Sequence, residues 1–373
     1  MYLHLISFDV PLPANYGGVI VVFHQLKALH AQGVRVILHC FVYGDRTPQP
    51  ELENYCQEVH YYPRSRAWIY QLSTLPFVMR TRMQAALLRR LSQDEYPILF
   101  EGIHTAGFIG ERRLRNRKKI IRMHNVEWQY YEGLSASANK PLHKAYFWIE
   151  SLRLRKIELR IVRYSDLILT LSYNDQRYYQ TIKPGAAVYL PAFHPNERVT
   201  CEKGRGEYVL FHGKLSVPDN ERAALWLIKN VFSRLSIPFV IAGMAPSARL
   251  REAVAPYEHI RLIADPSDAR MNQLISEAQI NLLISFQAAG IKLKLINALF
   301  RGRYCIVNEE MVQGSLLASL CIVRNTPREI RQTVEAYINA SFSQSQIQER
   351  AALLASEYDN AKQAGILKSL IFG

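Results

Sequence analysis

Cysteine is scarce in this 373-residue sequence: Cys40, Cys56, Cys201, Cys305 and Cys321 are odd in number, far apart and form no CxxC pair. That excludes a disulfide framework and a cysteine zinc site, both of which need closely spaced or even-numbered thiols. Cys40, Cys305 and Cys321 lie in apolar runs and read as buried thiols. No stretch approaches the roughly 20 consecutive apolar residues of a membrane-spanning helix. The opening MYLHLISFDV has neither the basic segment nor the small-residue cleavage site of a signal peptide, so a cytoplasmic protein is expected. Acidic residues are in deficit, 32 against 46 Lys and Arg, for a formal net charge of +14. Such an excess predicts attraction to polyanions. Nucleic acid is not the expected partner, because neither the aromatic and glycine signature of an RNA-binding sheet nor zinc-finger spacing occurs. Also missing are a Walker A loop, GxGxxG, HxxxH, a DxD beside a strand and any His/Cys cluster, so no metal site and no cofactor are expected.

What is present is an ordinary globular composition, 49% hydrophobic and 21% charged, in a chain too long for one core. Apolar β-type runs alternate with helical periods, the pattern of parallel sheets covered by helices. Strands are expected at Leu3–Phe8, Val34–Cys40, Ile98–Phe100, Lys119–Met123 and Leu167–Leu171. A loop Pro11–Gly18 and a helix Val19–His30 capped by Gly33 join the first two, and a long helix is expected over Pro141–Tyr164. A second series follows at Tyr208–Phe211, Phe239–Ala242, Ile260–Ile263, Ile280–Ile284 and Tyr304–Val307. The periodicity breaks at Leu190–Gly206, which predicts domains 1–195 and 196–342. The last segment, 343–373, is helical without a strand and is free to pack back on the first domain. The expected fold is α/β, two Rossmann-like parallel-sheet domains facing across a cleft, with ligands at the carboxyl ends of strands.

Basic residues cluster at Arg112–Lys119, where six of eight positions are Lys or Arg, and again at Arg153, Arg155, Lys156, Arg160 and Arg163. A solvated face would explain such a density, but its extent favours an anionic membrane surface or an anionic acceptor.

The most informative stretch is Gly290–Gly302, GIKLKLINALFRG. It follows an apolar strand and the loop Ser285–Ala289, and predicts a helix over about Lys292–Arg301 ended by Gly302 in a left-handed conformation. Leu295, Ile296 and Leu299 form one face, and Lys294, Asn297 and Arg301 another. A helix start after a glycine offers free N–H groups and a positive dipole end to a phosphate, and a first-turn lysine adds a cation. An amphipathic helix with snorkelling lysines would show the same spacing.

Taken whole, the string resembles the donor-binding motif of family-4 glycosyltransferases of the GT-B fold, which carries a glycine, a helix lysine, an acid three residues on, an alanine and a glycine. Those positions are Gly290, Lys294, Asn297, Ala298 and Gly302. The resemblance implies that Lys294 and the helix start near Ile291 contact the nucleotide diphosphate, that Asn297 meets the ribose, and that Gln287, Ala288, Ala289 and Gly290 face the transferred sugar. Three more stretches resemble the family. Tyr16-Gly17-Gly18 closes the first strand-to-helix loop on the acceptor side. Arg122-Met123-His124-Asn125-Val126-Glu127 is similar to the RxHNxE segment and implies that His124 lies beside the reacting sugar. Gly213 and Lys214, in FHGKL, match the glycine and basic residue that offset the leaving diphosphate. The departures are Ala289 and Asn297 where the family has two glutamates, and Asp219 or Asn220 where it has a second lysine.

The implied activity is transfer of a hexose from a nucleoside-diphosphate sugar to a glycan or lipid-linked acceptor in cell-surface polysaccharide or lipopolysaccharide synthesis, with retained configuration and no metal. His124, Lys214 and Lys294 are the expected catalytic residues. Two alternatives remain open: a silent nucleotide- or glycan-binding partner protein of the same fold, and a nucleotide-sugar epimerase.

Overall fold

The computed structural model describes residues 1–65, 67–138, 140–287 and 292–373. The chain divides into two compact units, Met1–Pro195 with Asp359–Gly373, and Asn196–Tyr358.

In the first unit the strands are β1 (Tyr2–Ser7), β2 (Arg35–Val42), β3 (Glu58–Pro63), β4 (Ile98–Glu101), β5 (Lys119–Met123), β6 (Leu167–Thr170) and β7 (Ala187–Tyr189). They form one sheet in the order β3-β2-β1-β4-β5-β6-β7, every pair parallel. Both faces are covered, which is why β1, β4 and β5 read as apolar almost throughout. Alternate residues serve opposite layers. Leu5, Leu38, Leu99 and Ile120 pack with Leu26 and Leu29 of the helix Gly17–Ala31 and with Leu367 and Ile371. Ile6, Phe41, Phe100 and Ile121 pack with Leu154 and Ile161 of the helix Pro141–Tyr164.

The first helix begins at Gly17, two residues before the expected Val19. Its end is as expected: Gly33 takes a left-handed φ of 74°, and Val34 N–H reaches back to Leu29 O at 3.0 Å. Strands β3 and β7 lie where no strand is expected. Strand β3 carries polar and aromatic residues (EVHYYP) in place of an apolar run, and β7 has only three residues.

The second unit holds β8 (Val209–His212), β9 (Phe239–Gly243), β10 (Ile260–Ala264), β11 (Ile280–Leu283), β12 (Tyr304–Val307) and β13 (Ile322–Val323). Their order is β10-β9-β8-β11-β12-β13, again wholly parallel. The two-residue β13 escapes a pattern search by its length. The segment expected as 343–373 is divided: the helix Gln344–Glu357 belongs to the second unit, where Leu354 joins Leu295 and Leu299, and Asn360–Phe372 belongs to the first.

Gly302 is not left-handed. Its φ is −92° and its N–H still bonds Ala298 O at 2.8 Å. Space explains the glycine instead, since a Cβ there would lie 2.1 Å from Asn281 Nδ2.

Candidate functional site

In the second unit the strand order reverses between β8 and β11, neighbours in the sheet but distant in sequence. Loops leaving the carboxyl ends of such strands diverge and open a crevice. One loop carries Gly213 and Lys214, and the other begins at Ser285. Both are gripped by the first turn of the helix Pro218–Asn230, whose Pro218 sets the entry. Asp219 accepts from Ser285 Oγ at 2.7 Å and from Phe286 N–H at 3.0 Å. Asn220 donates from Nδ2 to Lys214 O at 2.9 Å, and its Oδ1 accepts from Lys294 Nζ at 2.8 Å. Asn308, just past β12, pairs with the backbone N–H and C=O of Ser285. Gly243 must lack a side chain, because a Cβ would fall 1.8 Å from Gly213 O.

Lys294 lies in the first turn of the helix Leu293–Arg301, with Nζ 5.2 Å from the Phe211 ring centroid. Burial lowers its pKa to about 8, Asp219 opposes that shift, and the neighbouring Lys292 reinforces it. Lys292 is lowered in the same direction by burial, again against Asp219. His212, at the end of β8, is pushed down to about 3 by burial and by Lys294, and so stays neutral. Lys292 and Lys294 are thus both desolvated, and the charge of Asp219 acts on both.

Of the residues expected here, Lys294, Lys214, Gly213 and Gln287 lie on these loops or in the helix turn beside them. Lys214 is exposed. Gln287 closes a small turn, its N–H and C=O both meeting Ser285 Oγ. Asn297 is on the same helix, its Oδ1 accepting from Arg301 Nε at 3.1 Å. Ala288, Ala289, Gly290 and Ile291 lie outside the described residues.

In the first unit the order reverses between β1 and β4. Tyr16, Gly17 and Gly18 start the 17–31 helix beside the loop after β1. Tyr16 Oη donates to Asp9 Oδ2 at 2.8 Å beneath the Arg46 guanidinium, 5.0 Å from the ring centroid. A Cβ on Gly18 would meet the Phe8 ring at 2.5 Å, so the glycine lets that ring pass. Phe8 in turn meets the His124 ring edge-on at 5.6 Å.

His124 follows β5 and donates from Nε2 to Glu101 Oε2 at 2.9 Å. Glu101 ends β4, is fully buried, and also accepts from Gln25 Nε2 at 2.7 Å. Burial raises its pKa, but the bond from His124 and the charge of Arg122 outweigh it and hold the carboxyl below its usual range. Arg122, equally buried, donates to Gln25 Oε1 and, at 2.7 Å, to Pro191 O. Burial lowers its guanidinium to about 10, against Glu101. His124 therefore projects from a rigid, charge-balanced frame, and its side chain keeps 14% of its surface exposed.

Glu127 turns away from that frame. It is buried at the start of the helix Glu127–Ser137, with Glu158 Oε2 accepting from its N–H at 3.2 Å. Burial raises Glu127 to about 7, Glu158 to about 8 and Asp175 to about 6. The basic run Arg112–Lys119 is only partly a surface patch, since Arg117 and Lys119 are buried and Arg117 donates to Tyr96 O. Among the described residues no group of three or more His, Cys, Asp and Glu side chains is arranged to hold a metal ion, and no helix is long and apolar enough to cross a membrane.

The sequence reading missed Glu101, Gln25 and the two roles of Asp219 and Asn220. Glu101 had a signal, a lone acid closing the apolar run ILFEG at a strand's carboxyl end. Gln25 had none, because it lies mid-helix among apolar residues.

Two wholly parallel, helix-covered sheets of this kind make the GT-B fold. No family model matches the sequence. A curated relative, an uncharacterized 44.6 kDa protein in the cps region of Klebsiella pneumoniae, is 26% identical over 311 residues, 79% of each chain. Solved structures share the fold over nearly the whole length. HepE of Anabaena, in complex with UDP and glucose, superposes with a TM-score of 0.66 at 9% identity, covering 99% of both chains. A UDP-forming trehalose-phosphate synthase from Burkholderia xenovorans, in complex with glucose-6-phosphate, gives 0.65 at 9% identity over 100% of both. AviGT4, a glycosyltransferase involved in avilamycin A biosynthesis, gives 0.55 at 14% identity over 100% of this chain and 97% of its own.

Proposed function

We propose that the chain is a glycosyltransferase that moves a hexose from a nucleoside-diphosphate sugar to a hydroxyl of a glycan or lipid-linked acceptor. The observation that carries this reading is the pair of desolvated lysines, Lys292 and Lys294, at the β8/β11 reversal, with Lys294 bonded to Asn220 and both under the charge of Asp219. In the transfer the bond from the sugar's anomeric carbon to the diphosphate oxygen breaks, a bond to the acceptor oxygen forms, and the acceptor's proton passes to the departing diphosphate. Lys294, with Lys214 from the opposite loop, offsets the charge growing on the departing diphosphate. Backbone groups around Gln287, Ala288, Ala289, Gly290 and Ile291 hold the sugar and phosphates, and Asn297 meets the ribose. His124, braced by Glu101, positions the sugar, while Tyr16, Gly17 and Gly18 shape the acceptor side. Retention, independence from metals and cofactors, and family-4 membership belong to the same proposal and rest on the motif resemblance. A role in cell-surface polysaccharide or lipopolysaccharide synthesis is supported by the relative in a cps region.

The test is release of nucleoside diphosphate across a panel of nucleotide-sugars, with and without glycan or lipid-linked acceptors. Acceptor-dependent release is expected. A second reading, a protein that binds the nucleotide without turnover, draws on Asn220, which stands where the family motif has a cation and already engages Lys294. Tight binding with neither transfer nor hydrolysis would establish that reading instead.

A further inference from the structure

The helix Pro141–Tyr164 has one face in the core of the first unit, through Leu154, Ile157 and Ile161. Its opposite face is apolar as well. Leu142, Trp148, Ile149 and Leu152 recur at the three- and four-residue spacing of one helical stripe, with Leu142 83% and Trp148 55% exposed. Along the same stripe the charges are all of one sign. Lys144, Arg155, Lys156, Arg160 and Arg163 are exposed, whereas the helix's two acids, Glu150 and Glu158, are buried. A second apolar turn in the same unit, Trp68–Leu72, contacts the turn Phe77–Arg80, and its Trp68 and Leu72 are each 73% exposed. The stretch between Glu58 and Asp94 that contains this turn carries no acidic residue. A hydrogen bond of 2.8 Å from Phe77 N–H to Glu150 Oε2 fastens that stretch to the middle of the helix.

Large aliphatic and indole groups left in water cost free energy unless something apolar covers them. The ring of cations selects what that is. A second copy would bring another +14 charge against this one and is disfavoured. Nucleic acid satisfies the cations but offers nothing to Leu142, Ile149 and Leu152. An anionic bilayer meets both demands: phosphate head groups for the lysines and arginines, and the acyl boundary for the tryptophans and aliphatic side chains. We propose that this face, the outer stripe of the 141–164 helix together with Trp68, Ile69 and Leu72, docks the protein flat on an anionic lipid surface. The docking is independent of whether the chain transfers a sugar.

The test is sedimentation of the full chain with vesicles of phosphatidylcholine alone or mixed equally with phosphatidylglycerol, at low and high salt. Binding to the anionic vesicles and not to the neutral ones is expected, with a blue-shifted tryptophan emission that is reduced in Trp148→Ser and lost when Trp68→Ser is added. The triple variant Trp148→Ser, Ile149→Ser, Leu152→Ser should bind at least about tenfold more weakly. Lys156→Glu with Arg160→Glu should lose the preference for anionic lipid. All six side chains are exposed, so the fold is retained and circular dichroism checks it. Binding that the triple variant leaves unchanged, or that high salt abolishes with no emission shift, would reduce the contact to simple charge adsorption and overturn the proposal. Failure to bind either vesicle while a duplex RNA is bound would overturn it in favour of nucleic acid.

Discussion

Asn220 Oδ1 accepts a 2.8 Å hydrogen bond from Lys294 Nζ, so an amide holds the ammonium where the family motif would set a second cation. Under the proposed function, an entering diphosphate would find a lysine that is already aimed and partly desolvated. It must outcompete the amide, which as a neutral acceptor is the weaker partner.

The first prediction concerns that lysine. A hydrogen bond to a charged group is worth about 1.5–3 kcal/mol, so Lys294→Ala should weaken nucleoside-diphosphate binding about tenfold or more, with the thermal transition little changed. Calorimetry against each nucleoside diphosphate that the parent binds is the measurement, and equal affinities would remove Lys294 from the site. The pH dependence has a definite sign. With the free lysine near a pKa of about 8, it is charged below that value and binds anions fully, and affinity declines as pH rises through it. In Lys294→Met that decline should flatten.

The second prediction separates positioning from binding. Glu101 touches His124 and lies in the other unit from Lys294. Glu101→Gln keeps the size but removes the charge that steadies the imidazole. Turnover should fall about ten- to a hundredfold, by analogy with the partners that orient metal-ligating histidines. The affinity for nucleoside diphosphate should hold. A variant with parental turnover, or with binding and turnover lost together, would show that Glu101 serves the fold alone.

Much of this arrangement was legible in the sequence, for physical reasons. A strand buried on both faces is mostly apolar, so most parallel strands show themselves, and chemistry-bearing residues stand out where an apolar run ends. Gly213, Lys214 and the Arg122–Glu127 segment all mark such ends. Lys294 emerged from the resemblance of the whole Gly290–Gly302 string to a donor-binding motif, since helical spacing alone fits an ordinary amphipathic helix. What stayed hidden depends on contacts between distant segments. Nothing near Gln25 announces that it will bridge Glu101 and Arg122. Asp219 looks like an ordinary first-turn acid until the fold brings Ser285 and Phe286 to it. The Asn297–Arg301 bond fits the helical spacing, but Gly302 misled, because a glycine ending a helix suggests φ above zero whereas here it yields room to Asn281.

A third prediction comes from the buried acids under the 127–137 helix. Glu158 has a folded pKa raised by burial to about 8, against about 4.3 in an unfolded chain. A raised acid lends stability in full below its unfolded value and loses it as pH rises through the folded one. Above the range in which the buried histidines act, the parent's melting temperature should therefore fall between about pH 6.5 and pH 9, and Glu158→Gln, which cannot ionise, should fall less over the same range. Parallel curves for parent and variant would mean that Glu158 is not held protonated.

The last prediction has the opposite sign. His4 and His39 lie side by side in the first sheet, Nδ1 to Nε2 at 2.8 Å, with His39 Nδ1 3.0 Å from Tyr62 Oη and His4 Nε2 2.9 Å from Asp94 Oδ1. One proton assignment satisfies the whole chain: Tyr62 donates to His39, His39 to His4, and His4 to Asp94. Both rings are then neutral. A further proton on His4 would force His39 into its other tautomer and turn Tyr62 from donor to acceptor. Burial, the first cause in each case, lowers His4 to about 4 and His39 well below its usual range. A lowered base lends stability above its unfolded value, about 6.5, and loses it as pH falls toward the folded one. Acid should therefore destabilise the parent from about pH 6.5 downward. In His39→Gln the amide can accept from Tyr62 and donate to His4 without titrating. Its melting temperature should be lower at neutral pH but less sensitive to acid, and an acid profile as steep as the parent's would place the sensitivity elsewhere.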